Sequence, residues 1–346
     1  MNNQYCYLGQ DPSHDRINYI KSKQPPAFSI GPKFNAYNFS QTLTDSFNDL
    51  IVERLKQLRS KYAYLRLWFS GGKDSRIILD TAIKNNIKID EILTVMYQPA
   101  GRFPIGAQVE LETNAIAYLN EIALQKTKIT IINLGPEHFN AAFCDPNWIH
   151  NNILHTLHSP FYPGLFFSKV NPEFQFVEKD KDVCDISGCT HPHVYYLNDC
   201  WTFYYVDLQF PFDSNGYTEN FLAHDDMPEL CHGYVRDLIK YNQHTNITNL
   251  KASRLMRDTI PEYAVIQLPR PDLQLPKVYS GSWLPSKHHF WRSNTSLKNW
   301  INCLACYGQT PWNKAFDNYV NLTNWDDVSI AFEHPGIITK KYVINL

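Results

Sequence analysis

The sequence predicts an α/β protein: a parallel sheet with helices on both faces, followed by a mostly helical C-terminal region. Two observations predict it. Short, almost continuously apolar runs alternate with segments of helical period, the pattern of strand–helix crossovers. The first of these runs also enters its helix through a glycine turn, in "LWFSGGKDSRIIL" from Leu67 to Leu79.

The elements follow in order. Residues 1–43 are polar, rich in Tyr and Asn, and broken by "KQPPAF" and "IGPKF", so they read as an N-terminal arm. In "TDSFNDLIVERLKQLRSKY", Phe47, Leu50, Ile51, Leu55 and Leu58 share one helical face, with acids in the first turn and bases in the last. "YAYLRLWF" reads as a buried strand, and "SRIILDTAIK" as a helix with Ser75 at its N-cap. "EILTVMY" is a second strand, "AQVELETNAIAYLNEIALQKT" a long helix and "KITIINL" a third strand. "DPNWIHNNILHTLHS" reads as helical, and "DKDVCDIS" as a buried strand ending at Ser187-Gly188. "HVYYLND" and "WTFYYVDLQF" alternate like a hairpin about Asn198-Asp199. Past residue 216 the texture changes to helical "MPELCHGYVRDLIKY" and "KASRLMRDTIPEY", then to a Pro- and Trp-rich tail. The boundaries are therefore an arm over 1–43, an α/β domain over 44–215 and a helical, aromatic-rich region over 216–346.

The chain has 346 residues and a formal net charge of −2, which argues against a broadly cationic nucleic-acid coat. No stretch approaches the roughly 18 apolar residues of a membrane span, so no membrane partner is expected. The start "MNNQYCYLGQDPSHD" does not resemble a secretory signal. Eight cysteines without such a signal read as reduced thiols or ligands, and the expected location is the cytoplasm.

A strand, glycine turn and helix start aim backbone N–H groups and the positive end of a helix dipole at one spot, which suits phosphate. A Walker loop does not fit, because Leu67 takes the place of its first glycine and Asp74 that of its Ser or Thr. What fits is S-G-G-x-D-S. Ser70, Gly71, Gly72, Lys73, Asp74 and Ser75 resemble the pyrophosphate loop of the PP-loop ATP pyrophosphatases. Asparagine synthetase, tRNA thiolases and phosphoadenylylsulfate reductase belong to that superfamily. The resemblance spans roughly Tyr62 to Phe210. It implies the PP-loop (HUP-type) version of the α/β fold, with ATP and magnesium as cofactors. ATP would bind through its β- and γ-phosphates, a substrate oxygen would attack the α-phosphate, and pyrophosphate would leave. Ser70 and Ser75 would donate hydroxyl hydrogen bonds, Lys73 would offset charge and Asp74 would hold magnesium, which makes Lys73 and Asp74 the catalytic candidates. Adenine would lie near the end of the second strand, around Val95 to Tyr97.

Ser187-Gly188 stands where asparagine synthetases carry another Ser-Gly phosphate loop. Those enzymes follow it with acids, whereas Cys189, Thr190, His191 and Pro192 follow here, and their N-terminal glutaminase domain has no counterpart. The Glu-Cys-Gly-Leu-His motif of the reductases is also missing. "ISGCTHPHVYY" and its continuation resemble a group of phage-encoded PP-loop proteins of no known substrate. The expected function is adenylation of a small-molecule or nucleotide acceptor for later nitrogen or sulfur transfer. RNA or DNA is a further candidate substrate, and a homodimer a candidate assembly.

Cys303-Leu-Ala-Cys306 reads either as a sulfur-relay or zinc pair, making this a tRNA-type sulfurtransferase or a PAPS reductase-like enzyme, or as two core thiols. The core reading is preferred because the pair stands alone. Cys184, Cys189, His191, His193 and Cys200 match no zinc spacing and are expected to be mostly structural. Between Asp272 and Asp317 the tail has no acid, while Lys277, Lys287, Arg292, Lys298 and Lys314 interleave with Trp and Tyr, which suits a nucleobase or nucleotide acceptor. A non-catalytic adenine-nucleotide-binding protein is the reading from another class.

Overall fold

The computed structural model of the chain describes residues 6–7, 28–97, 115–122, 126–134, 182–188, 192–197, 199–205, 218–242, 249–250 and 339–345. Strands β1 (Cys6–Tyr7) and β2 (Phe28–Ser29) pair antiparallel ahead of helix α1 (Pro32–Ala36). Helix α2 (Phe47–Lys61) then starts at Ser46, whose hydroxyl accepts from the Asp49 N–H at 3.1 Å and donates to the Asp49 carboxylate at 2.6 Å. Asp49 in the first turn, and Arg59 and Lys61 in the last, complement the helix dipole.

A five-stranded sheet is the centre of the molecule. Its strands are β3 (Tyr64–Trp68), β4 (Glu91–Tyr97), β5 (Lys128–Leu134), β6 (Val183–Ser187) and β9 (Thr218–Asn220). They lie in the order β5-β4-β3-β6-β9 and every pair is parallel, so the chain is α/β. β4 and β5 occupy the predicted stretches "EILTVMY" and "KITIINL" residue for residue. Helix α3 (Lys73–Lys84) joins β3 to β4, and the short helix α4 (Ala117–Glu121) precedes β5. Helix α5 (Pro228–Asn242) follows β9 and packs on α2, which packs in turn on α3. β7 (His193–Leu197) and β8 (Cys200–Tyr204) form the expected hairpin, with Leu197 paired to Cys200 at its turn. Strands β10 (Asn249–Leu250) and β11 (Tyr342–Ile344) flank it in a second, antiparallel sheet. Of the predicted helix "AQVELETNAIAYLNEIALQKT", only α4 and its immediate neighbours fall within the described residues. "DPNWIHNNILHTLHS", "KASRLMRDTIPEY" and the basic, Trp-rich tail lie outside them.

Register divides the parallel sheet into two unlike faces. Leu65, Leu67, Ile92, Cys184 and Ile186 are buried on the face covered by α2 and α3, beside Leu50, Ile51, Leu55 and Leu58 of α2. Each such side chain contributes about 1.5–3 kcal/mol by leaving water. The opposite face carries a row of charges. Asp185, Arg66, Glu91 and Lys128 are cross-strand partners in sequence across β6, β3, β4 and β5. Arg66 grips both carboxylate oxygens of Asp185, with the Nη2 bond at 2.6 Å. Glu91, fully buried, accepts from Lys128 at 2.9 Å, Thr130 at 2.5 Å and Tyr64 at 3.1 Å.

On the helix side, one charged cluster interrupts the apolar layer. Glu219 of β9 accepts from Arg54 at 3.3 Å, Lys61 at 2.9 Å, the Tyr62 hydroxyl and His224 Nε2. Burial pushes the Glu219 carboxyl up, but the His224 bond and the Arg54 charge outweigh it and hold the group well below the usual range. His224 Nδ1 accepts the Asp226 N–H at 2.9 Å, so the imidazole donates through Nε2. An aromatic cluster ties the segment after β2 to the second sheet. Phe39 lies 5.1 Å from Phe34, 4.9 Å from Phe203 and 5.1 Å from Tyr342, ring to ring.

His232 of α5 closes that cluster at 1% exposure, with Nδ1 3.1 Å from the Tyr37 hydroxyl. Burial, helped by the Arg236 charge, lowers its pKa from the ordinary 6.5 to about 4. The unfolded chain therefore binds a proton near pH 6.5 while the folded one does not until about pH 4. Stability is full above pH 6.5 and drops as the pH falls through that window. In urea unfolding at stepped pH, His232→Gln is expected to flatten the pH 6.5–4 slope; a slope unchanged in the variant would place the proton elsewhere.

Candidate functional site

The strand order is that of a doubly wound sheet, in which the first two crossovers run one way and the next runs the other. Such sheets bind ligands outside the carboxyl ends of the strands where the direction reverses. Here that point lies between β3 and β6. Leu67 is level with Ile186, and Ser187 with Asn220, so the segments leaving β3, β6 and β9 emerge at one height. Tyr97 ends β4 at the same edge, opposite Leu134.

The glycine turn fills the gap after β3. Phe69 donates its N–H to Leu93 at 2.8 Å and is buried, and Ser70 then turns outward to solvent. Ser70 Oγ accepts the Gly72 N–H at 3.2 Å, which leaves its own proton for another acceptor. Gly71 has φ +74°, in the left-handed region where a side chain is strained. That turn carries Gly72 into the N-cap position, so α3 begins at Lys73 and not after Ser75. Ser75 is the third helical residue, 5% exposed, and its hydroxyl donates to the Gly72 carbonyl at 3.1 Å. This corrects the expected N-cap, and commits to the backbone the proton that Ser75 was expected to offer a phosphate. Lys73 opens α3 and Asp74 follows in its first turn, half-buried. The amides of Lys73, Asp74 and Ser75 have no acceptor within the helix, by the geometry of any helix start.

Ser187-Gly188 closes the site from the β6 side. Ser187 is half-buried, and its carbonyl accepts the Phe221 N–H at 2.8 Å. Gly188 is buried against the first turn of α3. A Cβ at that position would stand 2.9 Å from Ile78 Cδ1 and 3.3 Å from the Asp74 carbonyl oxygen. The structure therefore brings Ser70, Gly71, Gly72, Lys73, Asp74, Ser75, Ser187 and Gly188 together at one edge of the sheet, while Tyr97 ends β4 farther along, beyond the level of Trp68. Carboxylate and hydroxyl oxygens make up the metal-capable donors there, a set that fits magnesium.

Sequence reasoning stopped at Ser75 and missed the next residue. The Arg76 guanidinium carbon lies 4.1 Å from the ring centroid of Tyr118, which is itself 5.9 Å from the Phe69 ring. The signal was available only as an arginine directly after the motif. Asp80, one helical turn on, has its carboxyl pushed up by burial, an effect the Arg76 charge opposes.

The thiols and imidazoles singled out in the sequence are spread out where they are described. Cys184 is buried within β6, where burial pushes its thiol up, and Cys200 is half-buried on β8. His193 stacks on Tyr204 at 5.0 Å. Among the described residues no group of three His, Cys, Asp or Glu side chains could hold a metal. Cys189, His191, Cys303 and Cys306 lie outside them. No helix among the described residues is long and apolar enough to cross a membrane. No family model matches the chain, and no curated protein matches it.

The contact between the two loops is open to a direct check. Gly188→Ala is expected to cost about 1–3 kcal/mol by overpacking. Ile78→Val removes the methyl group it meets, so the double variant should be more stable than the sum of the single costs allows. Strictly additive costs in urea unfolding would mean that the two loops are not in contact.

Proposed function

We propose that the chain is an ATP pyrophosphatase, which attaches AMP to an oxygen of a small-molecule or nucleotide acceptor and releases pyrophosphate, preparing that acceptor for nitrogen or sulfur transfer. The observation that carries the reading is the S-G-G-K-D-S turn at the reversal point of a doubly wound sheet, with Ser187-Gly188 against Asp74. Its resemblance to the loop of PP-loop enzymes supplies the chemistry.

The parts fit that chemistry. Gly71 and Gly72 let the backbone approach the β- and γ-phosphates, while the first-turn amides and dipole of α3 favour their charge. The Ser70 proton is placed for a phosphate oxygen, and Lys73 offsets negative charge on the departing pyrophosphate. Asp74 would hold magnesium, which when bound neutralises the phosphates. The acceptor oxygen forms a bond to the α-phosphorus as the bond to the bridging α–β oxygen breaks. The electron pair leaves with pyrophosphate.

Two measurements test this. With ATP and an acceptor-containing cell extract, the nucleotide products are expected to be AMP, free or acceptor-bound, and pyrophosphate; ADP with phosphate would contradict the reading. Asp74→Asn is expected to lower turnover roughly 100- to 1,000-fold. Asn keeps the size and shape of the side chain, so the variant's stability should change by no more than about 1–2 kcal/mol. Normal turnover in that variant would remove Asp74 from the reaction.

A further inference from the structure

The parallel sheet ends in two unlike edges. β9 is three residues long and polar, with Glu219 bound by Arg54, Lys61 and His224, the kind of edge that resists further pairing. β5 is seven residues long, keeps register with β4 at every one of them and contains no proline. Among the described residues no strand pairs with its outer edge. We propose that this edge pairs antiparallel with β5 of a second copy of the chain, about a two-fold axis at Ile131, and joins the two parallel sheets into one.

The side chains of β5 call for a cover. Ile129 and Ile131 are level with Ile92 and Thr94, on the sheet face that α2 and α3 cover. Ile92 and Thr94 are buried there, but Ile129 and Ile131 are 42% and 43% exposed, and Ile83 of α3 is 41% exposed. A long, regular edge with exposed apolar side chains is what a monomer normally avoids. Ile131 is the middle residue of the strand, so a two-fold axis there pairs the whole of β5 with itself. Ile131 then faces its own copy directly and Ile129 lies diagonal to it, which makes one row of four isoleucines across the junction.

Charge and symmetry select a second copy in this orientation. Lys128 is the first residue of β5 and the one charged residue in it, and its ammonium is held by Glu91 at 2.9 Å. Antiparallel pairing sets it opposite position 134, six residues from the second copy's Lys128. That separation is roughly 20 Å, beyond the screening length at physiological salt. Parallel pairing in register would put the two lysines side by side. The two-fold arrangement also uses both free edges at once, so the assembly closes as a dimer. A net charge of −2 per chain adds little repulsion.

Sedimentation equilibrium of the full chain tests this, and is expected to show reversible association to twice the chain mass. Ile131→Lys and Ile131→Asp each place like charges across the axis and should weaken that association roughly 100-fold or more. Mixed in equal amounts, the two variants should associate more tightly than either does alone, because residue 131 then meets the opposite charge. Val343→Lys, at a comparably exposed position on β11, should dimerise as the unaltered chain does. Hydrogen exchange of residues 128–134 in the unaltered chain should slow as the dimer forms, and it decides the matter if a variant does not fold. A chain still monomeric at about 100 μM, a dimer indifferent to both substitutions, a mixture no tighter than its components, or exchange in 128–134 independent of concentration would overturn the pairing. None of these outcomes bears on the nucleotide reading.

Discussion

The structure depends on one row of side chains. Asp185, Arg66, Glu91 and Lys128 run across four parallel strands with alternating charge, each level with the next. Apart from these charges the strands, "YLRLW", "EILTVMY", "KITIINL" and "VCDIS", carry apolar residues toward both faces, so apolar burial alone distinguishes one alignment from a neighbouring one only weakly. The charges do distinguish them. A slip of β6 by one residue would place Cys184 or Ile186 beside Arg66 and leave a buried guanidinium without its carboxylate. Breaking such a pair costs about 3–5 kcal/mol, far more than the intact pair gains over an apolar substitute. The row therefore acts on register more than on total stability.

Register decides where the strands end, and the strand ends decide the site. With Arg66 level with Asp185, the chain leaves β3 and β6 at the same height, and Gly188 arrives against the first turn of α3. A side chain at residue 188 would press on the Asp74 backbone, so this approach needs glycine as much as the turn needs Gly71 at φ +74°. The Glu219 cluster does the corresponding work on the other face. It anchors β9 to α2 through Arg54 and Lys61, and with it the segment from Asn220 that runs beside Ser187.

Much of this was legible in the sequence because local pattern determines it. β4 and β5 were readable residue for residue from their apolar runs, and α2 from the spacing of Phe47 to Leu58. The glycine turn was readable because only a strand, a turn and a helix explain its order. What failed depends on geometry that spacing does not carry. Ser75 looked like an N-cap, but the left-handed turn at Gly71 advances the helix start to Lys73. Arg54 sits in the apolar stripe of α2, and its buried charge makes sense only once Glu219, far along the chain, is seen beside it. β9 reads "TEN", three polar residues with no strand signature, and two of them are buried through partners elsewhere. The Arg76–Tyr118 stack joins residues from two helices and leaves no local trace.

The central claim is that the turn after β3 and the turn after β6 hold one nucleotide together. Hydrogen exchange of backbone amides, with and without magnesium α,β-methylene-ATP, measures this most directly. The account predicts that the analogue slows exchange in residues 70–76 and in residues 187–188 at the same concentration, as the two halves of a single site. Protection of one segment without the other, or of neither while the analogue binds elsewhere, would contradict it.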